Sequence, residues 1–270
     1  MTIHRTRWSG RKYAAVIRAQ FVNMTQFAMD FGASIALLPI SLTILLYVFR
    51  SIMPSGEVVG GYTANSLAVY YIGVSLTWQV LAPVSSTMWQ SWQDINSGDL
   101  SVYLCRPLDY MALRYSRVLA PALINISLSI LIHGFVSVYW TGTGFLSVIQ
   151  FSISVLLSFS TMFSWWFFIG ALSFWWERPF TFRDVLWNLI TLFSGSLVPV
   201  DLLHPVLQSI AQFLPFRGLF FAPAGIFSGH MLAHEVWGSL AMQALWLIVL
   251  VVVSQVVWRL GLRSYDGRGG

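Results

Sequence analysis

Apolar and polar stretches alternate along this chain in blocks of bilayer length. Residues 32–50, 64–88, 117–140, 145–174, 185–200 and 236–260 are strongly apolar. Six such blocks predict six transmembrane helices, because about 20 apolar residues cross a hydrocarbon core of about 30 Å. The fifth block is the shortest. Ahead of them, Tyr13, Val16, Ile17, Phe21 and Met24 recur at helical spacing within residues 8–28, with Arg11, Lys12, Arg18 and Asn23 on the other side. That pattern predicts an amphipathic helix in the headgroup layer; the alternative is the polar start of a long first span. Asp30 sits at its junction with the first span. Residues 201–235 are apolar but interrupted by Pro205, Pro215, Pro223, Gly218, Gly225 and Gly229. Pieces of about ten residues cannot cross, so this region predicts a re-entrant or interfacial external segment before the last span.

The long polar interval is residues 89–110, WQSWQDINSGDLSVYLCRPLDY, with Asp94, Asp99, Arg106 and Asp109. Asn96, Ser97 and Gly98 followed by Asp99 are turn chemistry. Leu100, Tyr103, Leu104 and Leu108 then return at helical spacing. Pro107 closes this short helix at Arg106, since a residue before proline avoids helical backbone. Asp99 is the expected cap of that helix. Arg106 is the expected partner of Asp109 or of a carboxylate on another chain. A short amphipathic helix between two spans lies in water and forms a docking surface.

Composition changes the picture only by exclusion. Charged residues make up 9% of the 270 and hydrophobic ones 57%, with a mean hydropathy of +0.70. A soluble domain carries about 25% charged residues, so the whole of 1–270 reads as one membrane domain. A net charge of +5 raises nucleic acid as a partner, but the arginines flank apolar blocks instead. They crowd the amino terminus, the 89–116 and 175–184 loops and the tail, leaving only Arg50 and Arg217 on the other side. The positive-inside rule then puts both termini and the 89–110 segment in the cytoplasm. One cysteine, Cys105, excludes an internal disulfide and a cysteine metal cluster. The basic amino terminus lacks a short apolar core with a cleavage site, so no signal peptide is expected.

The run Asn96-Ser97-Gly98-Asp99-Leu100, with Tyr103-Leu104, Arg106-Pro107-Leu108 and Tyr110, resembles the segment between the second and third spans of type-2 ATP-binding-cassette (ABC) permeases of about 260 residues. Ser194-Gly195, Leu197-Val198-Pro199, Phe213-Leu214-Pro215-Phe216 and Pro223 resemble that family's loop before its last span. The resemblance covers nearly the whole chain. It implies the membrane subunit of an exporter in a bacterial cytoplasmic membrane, moving a hydrophobic or amphipathic substrate. It further implies two copies of an ABC ATPase, with ATP and magnesium bound there, and a second permease subunit, identical or homologous. Asn96, Ser97, Gly98, Asp99, Leu100, Tyr103, Leu104 and Arg106 are then the coupling helix that docks the ATPase.

No G-x-x-x-x-G-K-[ST] loop occurs, so ATP is not bound by that route in this chain, and no cofactor or catalytic residue is expected in it. His230 and His234 are four apart with His204 upstream, a spacing zinc sites use. The order H-E-x-x-H is absent, and no metal site is expected; the alternative is an interfacial polar cluster. His133 lies inside the third span, either bonded to a neighbouring helix or facing a substrate. Two rival functions remain open: a membrane-bound metal-dependent enzyme using the external histidines, and a non-transporting scaffold that recruits a soluble partner.

Overall fold

A computed structural model describes residues 10–24, 43–44, 47–48, 50–53, 58–177 and 179–265. The expected first span with Pro39, Asp30 at its border, and Arg5, Arg7, Arg178 and Arg268 fall largely or wholly outside these residues. Every regular element described is helical; one isolated bridge joins Val59 and Tyr62.

Helix α1 (Gly10–Met24) turns Tyr13, Val16, Ile17 and Phe21 inward and leaves Arg11, Lys12 and Arg18 exposed, as its amphipathic pattern dictates. It packs along α5 (Tyr110–Val136). Helix α2 (Ala64–Leu81) starts at a Thr63–Ser66 capping box, where each side chain satisfies the other residue's backbone N–H. A single 3-10 turn at Ala82–Ser85 links it to α3 (Ser86–Asn96). Pro83 forces that turn, because its ring displaces the carbonyl four residues earlier and it has no N–H to donate.

Four helical runs among the described residues are long and apolar enough to cross a membrane: Ala64–Asn96, Tyr110–Thr141, Gly144–Phe174 and Ala233–Arg263. The second therefore includes a π-helical turn after α5, and the third is α6 (Gly144–Ala171) with a 3-10 turn. The fourth is α10 (Ala233–Arg263). Helix α6 is central, touching α2, α3, α5, α10 and the buried helix α9 (Arg217–Ser228). Polar glue holds the last three together. Gln243 of α10 donates to Gly218 O of α9 at 2.5 Å and to Ser158 Oγ of α6 at 3.1 Å, and Ser154 Oγ donates to Gln243 Oε1 at 3.1 Å. In an apolar surrounding such bonds draw helices together, since the groups have no water to return to.

Two boundaries differ from the expected ones. The second span does not end at 88: α3 stays helical to Asn96, so the first third of the 89–110 interval belongs to it. The fifth span was expected over 185–200, but helix α7 is Phe180–Phe193. It is about 21 Å long at roughly 1.5 Å per residue, short of the ~30 Å a straight span needs. Beyond it the backbone is irregular yet paired. Gly195 adopts φ +81, Phe221 N–H donates to Ser194 O at 2.7 Å, and the Tyr70 and Tyr71 hydroxyls donate to Gly195 O and Leu197 O. Phe180 packs on Trp89 and Trp92 at one end of the bundle, and Asp201 meets Tyr62 at the other. Helix α8 (Pro205–Phe213) follows and is bent from α9 by 106°. The chain then returns to the Tyr62 end, where His230 stacks on Tyr62.

Candidate functional site

The 89–110 interval folds as the end of α3, a turn, the short helix α4 (Leu100–Leu104) and the cap of α5. Asn96 Nδ2 donates back to Trp92 O at 2.9 Å and Gly98 takes φ +83, a conformation only glycine adopts freely, so the chain reverses at this point. Ser97 Oγ donates to Asp99 Oδ2 at 2.8 Å. The expected cap of α4 by Asp99 is not formed. Asp99 already has helical backbone angles, which aim its side chain away from the first free N–H groups, so it serves the Ser97 turn instead. The cap appears one helix later, where Asp109 Oδ1 accepts from Ala112 N–H at 2.8 Å.

The eight residues singled out from the sequence do not share one surface. Leu100 is fully buried and pins α4 to the bundle. Tyr103 is half-buried beneath the guanidinium groups of Arg106, Arg114 and Arg117, each 5.4–5.6 Å from its ring centre. Arg106 thus lies over an aromatic face, favoured by the ring quadrupole, and forms no ion pair with Asp109. The side of α4 left open consists of Ser101, Val102 and Leu104, followed by Cys105, Arg106 and Pro107. Val102, unremarked in the sequence pattern, is 56% exposed and Leu104 46%, so an apolar pair faces outward on an otherwise polar turn.

Directly behind α4 lies a buried ionic node. Arg114 of α5 pairs with Asp94 of α3 and donates from Nη1 to Gln90 Oε1 at 2.7 Å and from Nε to Tyr110 Oη at 2.9 Å. Tyr110 donates to Asp94 Oδ2 at 2.5 Å and stacks on Trp258 of α10 at 4.6 Å, the rings within 5° of parallel. Arg114 is 3% exposed. Two charges held in so dry a place require full pairing, and here each has several partners. The node binds α3, α5 and α10 to one another at the base of α4. A signal for it exists in the sequence: Gln90 and Asp94, like Tyr110 and Arg114, are four apart and so share a helix face. The same end also gathers both ends of the described chain. Asp109 N–H donates to Tyr13 Oη of α1 at 3.1 Å, and Ser101 Oγ lies 3.5 Å from Tyr265 Oη.

The other chemistry-bearing residues sit apart. His204 caps α8, its Nδ1 accepting from Val206 N–H at 3.4 Å. His230 lies 3.7 Å from Asp201 and stacks on Tyr62 at 3.8 Å, and His234 is exposed in the first turn of α10. Burial pushes Asp201 above its ordinary carboxylate range, while Arg217 and His230 hold it down. Burial likewise pushes the Tyr62 hydroxyl well up, with Asp201 adding to it. No group of three or more His, Cys, Asp or Glu able to hold a metal ion occurs among the described residues. His133 is fully buried between Phe151 and Phe227, 3.1 Å from Ser147 Oγ.

No curated protein matches the chain at a significant level. The model of the family described as ABC-2 family transporter protein matches residues 37–269, a stretch that contains α2 to α10 and the whole node. The protein is therefore the multi-pass membrane component of an ABC transporter, a transport subunit whose family partners an ABC ATPase. By that match across most of its length, the chain belongs to the ABC-2 family of transporter proteins.

Proposed function

We propose that this permease exports a hydrophobic or amphipathic substrate, driven by two copies of a separate ATPase that bind ATP and magnesium. The carrying observation is the position of α4. Its exposed Val102 and Leu104 offer apolar contact on two sides of the short helix, and Tyr103 between them rests on the Asp94–Arg114–Tyr110 node. A partner that grips α4 pushes on the three helices the node joins, because packed interiors transmit displacement instead of absorbing it. Leu104, Tyr103 and Arg106, presented by the turn at Asn96, Ser97, Gly98 and Asp99, are the coupling residues, with Val102 added and Leu100 as the buried pivot.

The membrane topology that suits this reading has six crossings, in a bacterial cytoplasmic membrane, with both termini and α4 cytoplasmic. The fifth is α7 continued by the irregular 194–200 stretch, and α8 and α9 form an external re-entrant pair. Two facts support that pairing: Asp201 before it and His230 after it both contact Tyr62, and the backbone of 194–197 is paired, as irregular structure at membrane depth requires. A second permease, identical or homologous, completes the pathway.

The test is copurification. With the ATPase coexpressed, Val102→Asp combined with Leu104→Asp leaves the permease folded, since both side chains are exposed. Expected is loss of the ATPase from the purified permease and of substrate-stimulated ATP hydrolysis. Full retention of both, at normal expression, removes α4 as the coupling helix.

A further inference from the structure

A cavity of about 940 Å³ opens between α1, α5, α6 and α10, to one side of the node. Its polarity is graded. Arg259, Asp109 and Tyr13 stand at its mouth; Leu247 and Val251 close the far end. In the middle the serine hydroxyls are already engaged, Ser164 Oγ donating to Ser160 O at 2.9 Å and Ser160 Oγ bonding Tyr115 Oη at 2.9 Å. Phe163 and Phe167 make much of that wall apolar, with Gln255 a polar break between Val251 and Arg259. From Arg259 to Leu247 the cavity runs about 18 Å along α10 at roughly 1.5 Å per residue. One leaflet offers about 15 Å of hydrocarbon before the headgroup layer begins. The amphipathic α1, built to lie in that layer, borders the mouth and not the far end. Length, direction and gradient are those of a single membrane lipid.

The mouth also selects a headgroup. Arg259 and Asp109 are both exposed there, and neither joins an ion pair with another described residue. One Asp109 oxygen caps α5; the other has no such duty. A purely anionic headgroup satisfies Arg259 and is repelled by Asp109. A phosphoethanolamine satisfies both, with its phosphate on the guanidinium and its ammonium on the carboxylate.

We propose that this cavity is a binding site for one phosphatidylethanolamine molecule, its phosphate on Arg259, its ammonium on Asp109 and its chains directed toward Leu247. The site rests on the cavity and its lining alone, so it stands whether or not α4 couples an ATPase.

The full chain, reconstituted in vesicles of equal phosphatidylethanolamine and phosphatidylglycerol and extracted in mild detergent, is weighed by native mass spectrometry. The expected species retains phosphatidylethanolamine in preference to phosphatidylglycerol. Arg259→Ala lowers the retained lipid about tenfold, the weight of a charge-assisted contact. Asp109→Asn keeps the helix cap but abolishes the preference between the two lipids, because asparagine caps as well as aspartate and carries no charge. Val251→Trp fills the far end and expels the lipid from protein that still elutes as one species. Equal retention of both lipids by the parent chain overturns the proposal, and so does retention unchanged by Arg259→Ala. A Val251→Cys cross-link between two copies, in a Cys105→Ser background, would overturn it too, by placing a second chain in the cavity.

Discussion

Asn125 Nδ2 of α5 donates a 2.8 Å hydrogen bond to the backbone oxygen of Gln79 in α2. Gln79 is four residues before Pro83, so its carbonyl is the one that a proline leaves without a helical donor. A side chain on the neighbouring helix thus supplies the bond the proline removed. The break in the second span is tolerated in an apolar setting because its polar debt is met locally.

Asn125→Leu is expected to destabilise the protein by about 1 kcal/mol, the lower end of the cost of an unpaired acceptor, since the bond is half-buried. Restoring the missing N–H with Pro83→Ala should remove most of that cost, a coupling a double-mutant cycle detects. Thermal unfolding of the four proteins in detergent measures it. An equal loss from Asn125→Leu in both backgrounds would show that the bond has no relation to the proline.

The ionic node predicts an asymmetry. Asp94→Leu alone strands Arg114 and is expected to cost about 3–5 kcal/mol, reducing the yield of monodisperse protein. Asp94→Leu with Arg114→Met removes both charges and should recover most of that loss, because apolar pairs of similar volume replace buried ion pairs well. Fluorescence-detected size exclusion after heating compares the two. A double variant as damaged as the single would mean the node acts through geometry that only the ions supply.

Gly195 is the hinge of the irregular stretch after α7. Its φ of +81 costs a residue with a side chain about 1–2 kcal/mol. An added Cβ also falls 2.7 Å from Tyr70 Oη and 2.8 Å from Phe221 Cβ. Gly195→Ala should therefore lower the unfolding midpoint, whereas Gly142→Ala, with similar φ but open space around it, should pay only the conformational part.

Asp201 gives a pH dependence with a defined sign. Its folded form is raised by burial, so the folded state holds the proton more tightly than the unfolded chain. Stability contributed by that proton is complete at low pH and falls as pH rises through the raised range. Asp201→Asn cannot lose it. The unfolding midpoint of this variant relative to the parent should be lowest in acid and climb toward neutrality; a difference that stays level or falls on going to neutral pH contradicts the burial argument.

Much of the architecture was legible along the chain because its causes are local. The periodicity of α1, the glycine turn at 98 and the proline breaks at 205 and 215 fall where the residues put them, but Pro223, with Gly218 and Gly225, lies inside α9 without breaking it. The end of the second span was not legible. Trp89 to Asn96 read as polar loop because their partners are remote: Trp89 and Trp92 pack on Phe180, and Asp94 is neutralised by Arg114. The surface of α4 was misread for a related reason. Leu100, Tyr103 and Leu104 share a pattern, but only contact with the bundle decides that Leu100 is buried and Leu104 exposed.

By itself the sequence determined that this protein lives in a membrane, roughly which stretches are helical, and that a structured polar turn follows the second span. Those are consequences of composition and of interactions between residues a few positions apart. Tertiary structure alone decided which polar groups meet. Asp94 with Arg114, Asn125 with Gln79, Gln243 with Gly218 and Tyr110 with Trp258 each join different helices. Such pairs depend on helix rotation and depth, which arise only when several apolar faces are packed together and every buried polar group must find a partner.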